Sequence, residues 1–227
     1  MKHILPATAA AALLFTSCSD DSAPAAAADS SPVALFNGEN LDGWSHVLVE
    51  DLALEDVWTV EDGVIICKGE PLGYLHTDAS YQDFVLTFEW RWAPGGEPGN
   101  SGVLLRIAGE PDTFMPKCVE AQLLHQSAGD IWAFYGASVE GDADRTRVIE
   151  DHETLGDFKG ISKIKDAEKP PGEWNHYEIT LTGDTLVLKV NGELVNEAHG
   201  LDIVSGPIGL QSEGGEIHFR NIDLSPL

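Results

Sequence analysis

The chain has 227 residues, with 38 Asp and Glu against 13 Lys and Arg, a formal net charge of −25. That balance excludes a basic surface for nucleic acid or anionic lipid. The acids are spread along the whole sequence, so they read as a source of solubility rather than as one binding patch.

The first thirty residues do not read as a folded unit. MKHILPATAAAALLFTSC has a basic start at Lys2 with His3, a short apolar stretch broken by Pro6 and Thr8, and small residues before Cys18. This is the pattern of a secretory signal whose FTSC site leaves Cys18 to carry a lipid. The apolar run is too short to span a bilayer. SDDSAPAAAADSSP follows as a tether with nothing to bury. The expected organisation is a signal peptide over 1–17, a disordered tether over 18–32 and one β-sandwich domain over 33–227, in a lipid-anchored protein of a bacterial envelope. Two further cysteines, Cys67 and Cys118, could form a disulfide there or serve as small buried hydrophobes. No CxxC or HExxH spacing suggests zinc.

ALFNGENLDGW, over 34–44, is an apolar start with two turn signals, and VWTVEDGVIICKG reads as a hairpin turning at Glu61-Asp62-Gly63. FVLTFEWRW then places Phe84, Leu86, Phe88, Trp90 and Trp92 on one strand face, and Glu89 and Arg91 on the other. GNSGVLLRI alternates Val103, Leu105 and Ile107 with Leu104 and Arg106. KCVEAQLLH alternates Val119, Ala121 and Leu123 with Glu120, Gln122 and Leu124. If these three strands share a sheet, Glu89, Arg91, Arg106, Glu120 and Gln122 form one polar face. Such a face is either a ligand site or an ordinary solvated surface with cross-strand ion pairs.

Periodicity fades from Gly129 to Pro171, where IWAFYGAS is a strand or an aromatic lid carrying Trp132 and Tyr135, and the rest reads as a polar surface excursion. It returns in GEWNHYEITLTGDTLVLKVNGELVNEA, with an Asn191-Gly192 turn, and in GPIGLQSEGGEIHFRNIDLSPL, read as a hairpin about Gly214-Gly215 with Gln211, His218 and Arg220 on its polar face. No helix of ordinary length is demanded after the tether. Short alternating strands with a turn every eight to twelve residues indicate an all-β sandwich.

LFNGENLDGW, DFVLTFEWRW with NSGVLLR, EAQLL, GEWNHYEI with VNGELVN, and GPIGLQSEGGEIHFRNIDL occur in that order. Together they resemble the 3-keto-disaccharide hydrolase family. The resemblance implies a concanavalin A-like jelly-roll β-sandwich of two antiparallel sheets, export or lipid anchoring, and action on an oligosaccharide or glycoside oxidised to a ketone at sugar carbon 3. Glu120, Gln122, Asn100, Arg106 and Arg220 match the family's polar positions. His125 stands where an aspartate is common. The ketone acidifies the hydrogen on carbon 2, so the chemistry needs a base, for which Glu120 and His125 are the candidates. It also needs positive charge at the enolate oxygen, from Arg106 with Arg91 or from a divalent cation held by Glu89 and Glu120. Asn100, Gln122, Trp132, Tyr135, Gln211 and Arg220 complete the expected substrate contacts. Direct hydrolysis by the Glu89 and Glu120 carboxylates is a second chemistry. The non-enzymatic alternative is a lectin-like module that only binds sugar.

Overall fold

The computed structural model describes Met1 and residues 31–109 and 114–227. The expected signal peptide and most of the tether, Cys18 included, lie outside the described residues. In chain order the elements are β1 (Val33–Ala34), β2 (Trp44–Leu48), α1 (Leu54–Val57), β3 (Trp58–Glu61), β4 (Val64–Cys67), β5 (Gly73–Thr77), β6 (Phe84–Trp92), β7 (Gly102–Ala108) and β8 (Lys117–Gln122). They continue with β9 (Ile131–Phe134), β10 (Thr146–His152), β11 (Gly156–Ile161), β12 (Asn175–Thr182), β13 (Thr185–Val190), β14 (Glu193–Ala198), β15 (Gly209–Ser212) and β16 (Ile217–Pro226).

Two eight-stranded sheets result. Sheet A runs β14-β13-β12-β6-β16-β4-β3, with β1 also on β16; sheet B runs β10-β11-β9-β8-β7-β15-β5-β2. All pairings are antiparallel. The all-β sandwich is as expected, and among the described residues the one short helical turn, α1, is the exception within it.

The alternation of FVLTFEWRW does what its period requires: Phe84, Leu86, Phe88, Trp90 and Trp92 are all buried in the core between the sheets. Each large apolar side chain buried this way contributes about 1.5–3 kcal/mol. The Asn191-Gly192 turn has both residues at positive φ, 53° and 81°, the geometry of a tight hairpin turn.

Three expectations about pairing need correction. The central stretch does not form one sheet, because β6 belongs to sheet A while β7 and β8 belong to sheet B. The loop over 93–101 carries the chain across. The closing hairpin is also a crossover, since β15 lies in sheet B and β16 in sheet A. The two crossovers pass in contact: a Cβ on Gly99 would fall 1.9 Å from the carbonyl oxygen of Gly214, so only glycine fits. Finally, the excursion over 129–171 contains β9, β10 and β11, which extend sheet B. Most residues of β10 are exposed, so no apolar face marked it in the sequence.

Cys67 lies in sheet A and Cys118 in sheet B; both are buried and free, so they act as small apolar side chains and not as a disulfide. Cys118 belongs to a second apolar cluster, with Tyr74, Leu104, Ile107, Met115 and Phe134, separate from the main core. Its members alternate with core residues along β5, β7, β8 and β9, which places the cluster on the outer face of sheet B.

Candidate functional site

The five residues expected on one face divide into three environments. Glu89 and Arg91 stand on the outer face of sheet A, opposite Arg220 and His218 in register on β16. Arg220 Nε and Asn221 Nδ2 donate to Glu89 Oε2 at 2.8 and 2.6 Å. Arg91 Nε donates to His218 Nδ1 at 3.2 Å. The guanidinium carbons of Arg91 and Arg220 lie 4.5 and 3.9 Å from the ring centre of Trp174. Burial works to raise the Glu89 pKa, but the bonds from Arg220 and Asn221 outweigh it and hold the group below the ordinary carboxylate range. These are the cross-strand contacts of a partly solvated sheet face.

Arg106 is a structural residue. It has φ of 51° inside a register shift between Leu105 and Ala108, and this bulge turns the side chain away from the face its sequence parity implies. The guanidinium is buried and bonds to the carbonyl oxygens of Gln82, Gly183 and Asp202, with Asp83 Oδ1 at 3.3 Å. It ties β7 to the entry of β6, the β12–β13 turn and the 202 segment. Every nitrogen already has a protein acceptor, so an enolate-binding role is withdrawn.

Glu120, Gln122 and Gln211 do share a face. Leu104 pairs with both Glu120 and Gly209, Gly102 pairs with Gln122, and Gln211 pairs with Tyr74. Their chain neighbours Val119, Ala121 and Leu210 point into the main core, so these polar side chains lie on the outer face of sheet B. Gly102 leaves a gap there that the Glu120 carboxyl fills: a Cβ on Gly102 would sit 1.9 Å from Glu120 Oε1. Asn100, at the entry to β7, donates through Nδ2 to Glu213 Oε2 at 2.6 Å. Glu213 follows Gln211 by two residues at the end of β15.

This cluster leaves polar atoms unpaired. Among the described residues, Glu120 Oε1, Asn100 Oδ1 and both amide atoms of Gln211 are buried without a hydrogen-bond partner. Buried polar atoms are almost always paired, so four orphans in one neighbourhood mark a place prepared for something else. Burial, and then the charge of Glu213, push the Glu120 pKa well above the usual carboxylate value. Burial also raises Glu213; the Asn100 amide that donates to it acts against this, as does the Gln211 amide, which faces the carboxyl without reaching ordinary hydrogen-bond geometry. Displaced, coupled carboxyls in one cluster are a functional-site signature.

The remaining expected residues sit around or away from this cluster. Gln122 turns its Oε1 to accept from the backbone N–H of Leu123 and Leu124, so it shapes the following loop. On that loop His125 places Nδ1 2.9 Å from Glu168 Oε1, and Glu168 Oε2 accepts from Gln126 N–H. The hydrogen-bond partner of the His125 imidazole is therefore Glu168 and not the Glu120 cluster. Trp132 pairs with Glu120 in register; its ring lies over Gly160 and 4.9 Å from the Arg147 guanidinium. Tyr135 is exposed on the turn after β9, outside the cluster.

Glu89 and Glu120 are on opposite outer faces with the core between them. They can neither share a cation nor act as a hydrolytic pair. Among the described residues no three His, Cys, Asp or Glu side chains gather as a metal site. Sequence reasoning missed Glu213, although the spacing Gln211-x-Glu213 at strand period would have placed both on one face.

Residues 31–225 match the model of the 3-keto-alpha-glucoside-1,2-lyase-like domain. No curated protein matches the chain. Among solved structures, a candidate glycosyl hydrolase from Parabacteroides distasonis is 24% identical over 87% of this chain and 100% of that chain, with a TM-score of 0.60. The carbohydrate binding module CBM66 from Bacillus subtilis is 15% identical over 81% and 96%, at 0.57. A β-glucanase from Bacillus licheniformis is 10% identical over 86% and 96%, at 0.54. At these identities the likeness is one of fold, the concanavalin A-like sandwich.

Proposed function

The chain belongs to the 3-keto-alpha-glucoside-1,2-lyase-like family, and we propose that it cleaves glycosides carrying a ketone at sugar carbon 3, by elimination and hydration on the outer face of sheet B. The observation that carries this reading is the buried set of unpaired polar atoms on Glu120, Gln211 and Asn100 beside the Glu213 carboxyl.

The ketone makes the carbon 2 hydrogen acidic. A carboxylate takes that proton, and the electron pair of the C2–H bond forms an enolate with negative charge on the ketone oxygen. The enolate collapses to expel the aglycone oxygen from carbon 1, which leaves a C1–C2 double bond conjugated to the ketone. The expelled alkoxide takes a proton from solvent; water then adds its oxygen to carbon 1 and gives a proton up to solvent while the abstracted proton returns to carbon 2, so the net change is the addition of one water. Glu120 and Glu213 supply the proton-handling pair. The Gln211 amide supplies a buried N–H for the enolate oxygen, where a preorganised donor in a dry site has its largest effect.

The test is release of 4-nitrophenol from a 4-nitrophenyl 3-keto-glucoside, with the unoxidised glucoside as control. Wild type should turn over only the keto compound. Gln211→Leu keeps the volume and removes both orphan atoms; turnover should fall by about 10²–10³-fold, the effect of losing one such donor. Full activity in this variant would place the site elsewhere. Saturable binding of the keto-glucoside without any turnover would favour the lectin-like alternative.

The export reading rests on the FTSC site. Cys18→Ala should move the protein from the membrane fraction to the soluble envelope fraction. Unchanged membrane association would mean that Cys18 carries no lipid.

A further inference from the structure

The family reaction requires one carboxyl to be ionised as a base while something else donates to an enolate, and the candidate site holds two carboxyls of different surroundings. Resting on the proposed function, we infer that Glu213 is the base that removes the carbon 2 proton, and that Glu120 works as a neutral carboxylic acid donating a hydrogen bond to the enolate oxygen.

The geometry distinguishes the two groups. Glu213 is half-buried at the end of β15 and accepts from Asn100 Nδ2–H at 2.6 Å, a bond that stabilises its charged form. Glu120 lies under complete burial against the bare Gly102 backbone, and no donor reaches its Oε1 among the described residues. A carboxylate with an empty, desolvated oxygen is costly, whereas a carboxylic acid there needs only an acceptor for its own O–H. The ketone oxygen of a substrate is such an acceptor.

Among the described residues, Glu213 at the end of β15 raises Glu120, and Glu120 in turn raises Cys118 on its own strand and Tyr177 from β12; none of these three is a cation. The charge of Glu213 acts against ionisation of Glu120, and like charges in one poorly solvated site favour keeping a proton on one of them. It resides on the more buried member. Burial raises both groups, and of the two Glu120 is the one under complete burial. With Arg106 occupied elsewhere, a neutral acid at Glu120 and the Gln211 amide are two donors that this cluster offers an enolate. In proton terms, the C2–H proton passes to Glu213 and Glu120 keeps its own while sharing it with the enolate oxygen. The Glu213 proton returns to carbon 2 on hydration. Asn100 is a positioning residue that holds Glu213 at the ligand.

Isosteric amides test the assignment, because glutamine can donate but cannot act as a base. On the 4-nitrophenyl 3-keto-glucoside, Glu213→Gln should lose about 10²–10⁴-fold in kcat/KM. Glu120→Gln keeps an N–H donor and should lose about tenfold. Glu120→Leu keeps no donor and should lose about 10²–10³-fold. Formate added to Glu213→Ala should restore turnover in proportion to its concentration, which a structural role would not allow. If Glu120→Gln falls as far as Glu213→Gln, or if Glu213→Gln stays active, the assignment is wrong although the reaction stands. A wild-type protein inactive on every 3-keto-glycoside would instead remove the reaction, and the assignment with it.

Discussion

Arg106→Leu is expected to lose about 3 kcal/mol of stability, roughly 1 kcal/mol for each of the three carbonyls that lose a charged donor. For a domain of this size that lowers Tm by on the order of 10 °C. The reason is an accounting of acceptors. The guanidinium satisfies the carbonyl oxygens of Gln82, Gly183 and Asp202 and lies beside Asp83, which in turn accepts from the backbone N–H of Gly183. Leucine would leave the carbonyls of Gln82, Gly183 and Asp202 without the donors that the guanidinium supplies. Arg106→Lys should fall between, since one ammonium cannot reproduce a planar fork that reaches three separate segments. Thermal unfolding measures the loss. Activity per folded molecule decides the role: it should stay near wild type in Arg106→Lys, whereas an enolate-binding arginine would lose turnover at unchanged Tm.

Arg106 also shows where the sequence stopped being legible. Period-two alternation assigned faces correctly within unbroken strands: Phe84 to Trp92 bury as expected, and Glu120 and Gln122 oppose Val119 and Ala121. One bulged residue reverses parity for everything beyond it, and nothing in VLLRIA announces the bulge. Alternation is equally silent about pairing. A Gly/Pro loop such as APGGEPG can turn a strand back on itself or carry it to the facing sheet, and here it crosses, as Gly214-Gly215 does. The expected site was therefore built from two outer faces separated by the core. Glu120, Gln211 and Asn100 come together because each lies on or beside the outer face of sheet B. Glu89, Arg91 and Arg220 instead form a face of their own around Trp174.

That separation gives Glu89 and Glu120 opposite linkage to pH. Burial and Glu213 raise the folded-state pKa of Glu120, while in the unfolded chain the carboxyl returns to its ordinary value. Between those two values the folded protein binds more protons than the unfolded one, so this group's contribution to stability declines as pH rises through the window. Above the window the full penalty remains. Glutamine at 120 has no proton to lose, so Glu120→Gln should match wild type near pH 4.5 and exceed it at pH 8. A gain of about 0.5–2 kcal/mol is typical where a functional group is held against stability, and for this domain it corresponds to about 1–8 °C in Tm. Glu89 has the reverse sign. Arg220 and Asn221 hold its folded pKa below the ordinary value against the effect of burial, so its contribution is present at neutral pH and lost on acidification. Glu89→Gln should therefore lower Tm at pH 8 and converge on wild type at low pH. Melting curves of both variants at the two pH values give the answer without any substrate. If Glu120→Gln melts below wild type at pH 8, the Glu120 carboxylate is paired and stabilising, and the neutral acid assigned to it does not exist.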